Sequence, residues 1–391
     1  MTDVMLSGLD ELFCHQTVSS FEQPSSTDRN WTDKGYIVAY DTTGDVMVAV
    51  GIGSYPNRNV FDGFAFVAVN GRQWNVRASR VLRPDLTSLS VGPIQWHIVD
   101  PPQTNRIVLT DNEQGVTFDV EFQGLFPPVA ETGGATRING IPVNDTIRYF
   151  QQATATGVVT VEGQPYEMNP DTTYAYKDRS WGVRVMTGVA PENSFFFNET
   201  SALPESGLQS PIPPIPGMLA GLFAFRFPGW SIFAAFGEGP TGQPMGSLGG
   251  GAGGYLVYPV GDPRPPVHAA VEKMDWKFHS GTRRAISADV TFALADGTSK
   301  TISTAPLDLT GYFRGGGYFG FRGWWQGKYH GDYAIAGESL DLTDTAVLDE
   351  LYGCEEIAVS ATCSGEHGFG VLEPYATGAL PKYGIESHHL G

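Results

Sequence analysis

The sequence predicts an all-β protein built from two antiparallel β-barrels, and three observations predict it. Glycine (49) and proline (27) are plentiful and aromatic residues reach 12 %, a composition that favours short strands joined by turns. Hairpin signals recur at regular spacing from Gly35 onward, as in meandering sheets that close into barrels. Helix signals are few: Asp344 to Leu351 suits a short helix, and the first thirteen residues another. The 391 residues suit two domains or one large one, and 41 % apolar residues are enough for sizeable cores.

The elements follow in order. Tyr36–Tyr40 and Val46–Val50 flank Thr42-Thr-Gly-Asp45, a hairpin pattern. Gly63–Val69 and Gln73–Ala78 flank Asn70-Gly71, the strongest short hairpin signal because both positions tolerate φ > 0. Further hairpins surround Asp111–Gly115 and Val161–Gln164. Ile286–Phe292 faces Lys300–Ser303 across Ala295–Thr298, and from Gly311 to Ala336 aromatic and small residues alternate. The proline-rich stretch 201–218 reads as a linker or lid loop. Gly246–Gly254 lacks the Gly-Lys-Ser/Thr ending of a phosphate loop and reads as a flexible loop. No repeat period is visible, and the domain boundary falls near residue 190, giving barrels over 1–190 and 191–391.

Charge and motifs exclude several classes. The net charge is −18 with no basic run, which argues against nucleic acid and against anionic lipid, and its plain reading is solubility. Cys14, Cys354 and Cys363 are too few for a disulfide framework, although Cys354 and Cys363 are close enough to pair. The N-terminal residues lack the pattern of a signal peptide, and Met218–Phe236 is broken by Arg226, Pro228 and Gly229. The expectation is a cytoplasmic protein without an integral membrane segment, in which the glycosylation patterns at Asn30, Asn144 and Asn198 are chance. Neither metal nor cofactor is expected: ligand-spaced His and Cys motifs and a dinucleotide fingerprint are lacking, and His388-His389 reads as terminus. Ser180 has no Gly-x-Ser-x-Gly setting.

The stretch Tyr176-Lys-Asp-Arg-Ser-Trp-Gly-Val-Arg184 resembles the Asp-His-x-Trp-Gly signature of carotenoid 1,2-hydratases (hydroxyneurosporene synthases) and their AttH-like relatives. Ser54–Gly63, Val76–Arg80 and Gly368–Glu373 are similar to segments of a bacterial branch of that superfamily, so the resemblance runs from about Trp31 to Tyr383. It implies two lipocalin-like (calycin-type) domains. The superfamily also includes fungal intramolecular Diels–Alderases and hydratases of plant phenolics. In the hydratases the His and Trp of the signature matter for activity. Here the Trp position is Trp181 and the His position is Arg179, and no downstream Tyr-x-Asp pair is assigned.

On a strand, Asp178 shares a face with Ser180 while Arg179 and Trp181 share the other. Asp178 is a candidate proton donor or acceptor, Arg179 a fork for a ligand oxygen, and Trp181 a π face for a cation. The alternative is a buried Asp–Arg pair tying the barrels together, with Trp181 as core. His279, His330 and His367 are candidate acids or bases, His330 with Asp332 on one strand face, although a lone histidine is more often a structural residue. Tyr176, Trp276, Trp325 and Glu373 are candidate cavity residues. Tyr55, with Arg58 and Asp62, caps a barrel mouth or belongs to a turn built by Pro56, Asn57 and Gly63. The reading is a cofactor-independent enzyme acting on a hydrophobic isoprenoid, steroid or phenolic by hydration/dehydration, isomerisation or cyclisation. A non-catalytic carrier and a pericyclase that only shapes its substrate are the alternatives, and a homodimer is left open.

Overall fold

The computed structural model describes residues 18, 20–130, 135–138, 141–184, 217–245, 252–353 and 355–386. The first thirteen residues, Cys14, Asn198, the boundary near 190, Cys354 and His388-His389 lie outside the described residues, as do nearly all of 201–218 and most of Gly246–Gly254.

Turn chemistry sets the hairpins where the pattern places them. Asn70 and Gly71 both take positive φ, 49° and 72°, and join strands Val60–Val69 and Arg72–Val81. The turns at 42–45, 111–115, 162–163 and 295–298 likewise separate paired strands. Helix Thr345–Leu351 forms as expected, and the Asp344 side chain accepts the Ala346 N–H at its start.

The strands make two antiparallel sheets. In the first, the order is Tyr333–Asp341, Arg72–Val81, Val60–Val69, Met47–Tyr55, Trp31–Asp41, Thr173–Arg184, Ile141–Val161, Val116–Gly124, Thr104–Leu109, Ile94–Asp100 and Ser90–Val91. The second is a closed barrel of Met218–Phe227, Trp230–Glu238, Gly253–Val257, Val267–Phe278, Ala285–Leu294, Ser299–Tyr312, Glu355–Cys363 and Glu366–Thr377. The all-β, two-barrel expectation holds with one difference. The first sheet curls until Val91 packs near Gly63, but its two ends do not pair, so it is a half-barrel. One of those ends, Tyr333–Asp341, comes from the second half of the chain.

Alternation along the strands sorts the side chains into three apolar layers. Ile37, Val48, Val50, Phe61, Trp96 and Phe122 fill the half-barrel. Phe223, Phe225, Phe236, Trp276 and Phe292 fill the closed barrel, ring against ring. Between the two lie Val38, Tyr40, Phe64, Phe66, Phe150, Tyr174, Tyr176, Phe233 and Val371. Phe150 of the first sheet stacks on Phe233 of the second at 3.4 Å between centroids. Burying one such side chain stabilises by about 1.5–3 kcal/mol. Polar contacts key the same layer: Gln152 Nε2 donates to the carbonyls of Phe225 (2.9 Å) and Ile232 (3.0 Å), and Tyr40 Oη donates to Gly370 O at 2.7 Å.

The stretch 313–332 departs from the strand pattern. It starts with a 3-10 turn, Phe313–Gly316, and continues through turns that cover one end of the interface. Repeated glycines with positive φ at 317, 320, 323, 327 and 331 break the alternation of aromatic and small residues.

Candidate functional site

Strand Thr173–Arg184 lies in the middle of the first sheet, between Trp31–Asp41 and Ile141–Val161. Its even residues face the second barrel. Tyr174 Oη donates to Ala224 O at 2.9 Å, Tyr176 Oη reaches Glu356, and Asp178 and Ser180 line a cavity between the sheets. Its odd residues Lys177 and Arg179 line the hollow of the half-barrel. The alternation expected of Asp178 and Arg179 is therefore the observed one.

The barrel contributes two carboxyl groups. Ile357 pairs with Leu372, and the next step of that register sets Glu356 opposite Glu373. Both point at Tyr176, whose hydroxyl lies 2.7 Å from Glu356 Oε1 and 3.4 Å from Glu373 Oε2. Two carboxylates this close cannot both stay charged away from water. Burial, and then the charge of Glu373, holds Glu356 well above the usual carboxylate range. Burial is also the largest influence on Glu373, pushing it up to about 7, while Arg148 opposes and Asp178 reinforces the rise. Glu373 itself is partly exposed, whereas Glu356 is wholly buried.

Cations and a second acid complete the wall. Arg148 Nε donates to Asp178 Oδ2 at 3.1 Å. Lys34 Nζ donates to Gln326 Oε1 at 2.9 Å, and burial lowers this lysine to about 7. Asp62 Oδ2 accepts the Gly327 N–H at 2.5 Å, and burial raises Asp62 to about 6. The segment 313–327 thus closes over the site by hydrogen bonds to residues of the first sheet.

The cavity is about 60 Å³ and is lined by Lys34, Tyr36, Asp62, Arg148, Asp178, Glu356 and Glu373, with Phe64, Phe313 and Tyr318 as aromatic walls. A water needs roughly 10–15 Å³ of such space, so the cavity holds a few waters or one end of a ligand. Asp178 Oδ1 is buried without a hydrogen-bond partner among the described residues, while the buried hydroxyls of Tyr36 and Tyr55 face the carboxyl groups of Glu356 and Asp62. A polar network kept only for stability satisfies its members, because each orphan costs about 1–3 kcal/mol. The arrangement offers a protonated carboxyl group, a carboxylate held by arginine, and hydroxyls in a small, largely buried site. Among the described residues no three His, Cys, Asp or Glu side chains are placed to hold a metal ion.

Of the residues singled out in the sequence, Asp178, Tyr176 and Glu373 meet here, and Tyr55 stands behind them beside Asp62. Asp178 pairs with Arg148 and not with Arg179. Arg179 donates instead to Asp33 Oδ1 (2.9 Å) and Lys34 O (2.7 Å) on the opposite face. Trp181 is on that face too, edge-on to Tyr149 at 6.4 Å. Trp276 is core of the closed barrel, stacked on Phe223 at 5.3 Å. The expected His330–Asp332 dyad does not form, because both residues sit in a turn-rich segment and not on a strand. His330 stacks on Trp324 at 4.1 Å and Asp332 accepts from Tyr329 Oη at 2.6 Å. Trp325 belongs to the same segment, packed over Gly320. His279 is exposed in the turn that follows Val267–Phe278. Glu356, Tyr36, Arg148 and Lys34 escaped the sequence reading. Only the adjacent pair Glu355-Glu356, opening a strand whose next three residues are apolar, marked one of them.

A solved structure, kievitone hydratase from Nectria haematococca, matches at 11 % identity over 88 % of each chain with a TM-score of 0.39, too loose an overlap to carry an argument. No curated protein matches the sequence. A family model does match, over residues 6–201 and 222–386 and hence through both sheets and most strands that build the site, so the chain belongs to the family of unknown function DUF8625.

Proposed function

We propose that the cavity between the sheets is the active site of a cofactor-independent enzyme that moves a proton to or from a double bond of a hydrophobic small molecule. One observation carries this reading: Glu356 and Glu373 share the Tyr176 hydroxyl at the wall of a cavity that also holds the orphaned Oδ1 of Asp178, and burial there raises Glu373 to about 7. A general acid works best with a pKa near the working pH. Protonated Glu373 gives its proton to an alkene carbon. The cation that forms lies among Tyr36, Phe64 and Phe313, whose π faces stabilise positive charge. Water then adds to the cation and returns a proton to Glu373, which completes hydration. Loss of a neighbouring proton to Glu373 gives isomerisation instead, and attack by an internal nucleophile gives cyclisation.

The resemblance of Tyr176–Arg184 to the carotenoid hydratase signature supports an alkene or alcohol as the reacting group. The volume favours a substrate that inserts one end, such as a phenolic or terminal isoprenoid group. Glu373, and not Asp178, is the proposed acid, because Asp178 is engaged by Arg148.

Deuterium uptake tests this reading. The protein is incubated in D₂O with a panel of prenylated phenols and terminal isoprenoid alkenes, and incorporation is read by mass spectrometry. Wild type is expected to label at least one member, and Glu373→Gln to label it about 10²–10⁴-fold more slowly at a Tm no lower than that of wild type. Equal labelling by both proteins removes Glu373 from the mechanism.

A further inference from the structure

The hollow of the half-barrel, on the far side of strand Thr173–Arg184 from the proposed active site, holds a second cavity of about 780 Å³. That is within the roughly 300–1,000 Å³ typical of small-molecule sites. Its walls are apolar, with Phe61, Leu82, Leu86 and Trp96 among them. Its polar lining includes the carboxylates of Glu22 and Asp33 and the donors of Lys177, Arg179 and Asn105. Lys177 is 2 % exposed and stands over the ring of Phe122. Its Nζ donates to Pro102 O at 2.5 Å, but among the described residues no carboxylate forms an ion pair with it. Burial, with the nearby Arg179 charge, lowers it to about 8. Asn105, 3 % exposed, spends its Oδ1 on Trp96 Nε1 at 2.9 Å. Its Nδ2 is buried with no partner. Asp33 neutralises Arg179, and Glu22 pairs with Arg83 at 3.6 Å, so Lys177 is the lining cation left without an ion-pair partner among the described residues. An ammonium buried without a counter-charge is costly. In a chain of net charge −18, an apolar cavity with an unpaired cation and an orphaned amide donor calls for an anionic ligand.

We infer that the half-barrel is a second binding site, distinct from the cavity between the sheets, for an amphiphile with a carboxylate head and an apolar tail. The carboxylate sits at Lys177 and Asn105 Nδ2, and the tail lies along Phe61, Leu82, Leu86 and Trp96. The site binds and performs no chemistry.

Dodecanoate and 1-dodecanol test the inference on the full chain, because they share a tail and differ in head charge. Binding is read by calorimetry and by tryptophan fluorescence, to which Trp96 reports. Dodecanoate is expected to bind with one site per chain and about tenfold or more tighter than 1-dodecanol, the gain of one charge-assisted contact. Leu86→Trp, at the partly buried rim, should weaken dodecanoate about tenfold or more by filling the cavity. Lys177→Met should bring the two ligands to similar affinity. The wild-type comparison of head groups needs no variant to fold. No dodecanoate binding, equal affinity of the two ligands for wild type, or binding untouched by Leu86→Trp overturns the inference. Dodecanoate binding lost in Glu373→Gln but kept in Leu86→Trp places the ligand between the sheets. That outcome rejects the second site while leaving the proposed active site standing.

Discussion

Asp178 is tied to Glu373 through charge. Its carboxylate raises Glu373, while Arg148, which it holds at 3.1 Å, lowers it. Asp178→Asn removes the first influence and frees the second, so both changes lower the pKa of Glu373. An acid must be protonated to act, and activity falls as pH rises through its pKa. The expected outcome is a pH–rate profile whose alkaline fall moves to lower pH, with the maximal rate at low pH largely retained. A profile that stays in place while Tm drops makes Asp178 a structural partner of Arg148 only. The face of Asp178 was legible because period-two alternation needs only the strand itself. The role of Glu356 was not. It depends on which residue lies across the barrel strands, and a single sequence does not reveal register between strands whose pairing depends on the whole barrel.

Local turn chemistry made individual hairpins readable, as at Asn70-Gly71, where backbone demands are met by two adjacent residues. The pairing of Tyr333–Asp341 with Arg72–Val81 has no such local cause. It rests on Arg77, 3 % exposed, whose Nη1 and Nη2 donate to the two carboxylate oxygens of Glu338 at 2.8 and 2.6 Å. Asn75 Nδ2 adds a third contact at 3.0 Å. Glu338→Ala leaves the guanidinium buried and uncompensated, a change that typically costs about 3–5 kcal/mol. The loss here should lie near the lower figure, because Glu338 is partly exposed. Equilibrium urea unfolding is the check, and a loss below about 1 kcal/mol, the level of an ordinary surface ion pair, makes the contact incidental.

Across the whole molecule, buried acids set the pH dependence of stability. Folding raises Asp62 to about 6, Glu373 to about 7 and Glu355 to about 8, in each case chiefly by burial. A group raised on folding gives stability that is complete below its unfolded pKa and lost as pH rises through the folded one. Lys34 is lowered to about 7, so its contribution is complete above the unfolded lysine value and lost as pH falls through 7. Its effect therefore lies above pH 7, where it opposes Glu355. Between about pH 5 and 6 the three acids act together and from 6 to 7 Glu373 and Glu355 continue, so Tm should fall from pH 5 to 7. Glu355→Gln, far in function from the proposed acid, should flatten the fall, with each pKa unit removed worth about 1.4 kcal/mol. A Tm that is flat or rises from pH 5 to 7 contradicts this account. The strand that the second half of the chain lends to the first sheet has a further consequence during synthesis on the ribosome. The half-barrel cannot acquire its last edge until Asp341 has been translated, when only Glu355–Cys363 and Glu366–Thr377 of the second barrel are still to come. Until then Arg72–Val81 is an open edge, the kind of surface that invites pairing with a neighbouring nascent chain. Both sheets are thus finished almost together, and the order of translation gives the first one no head start.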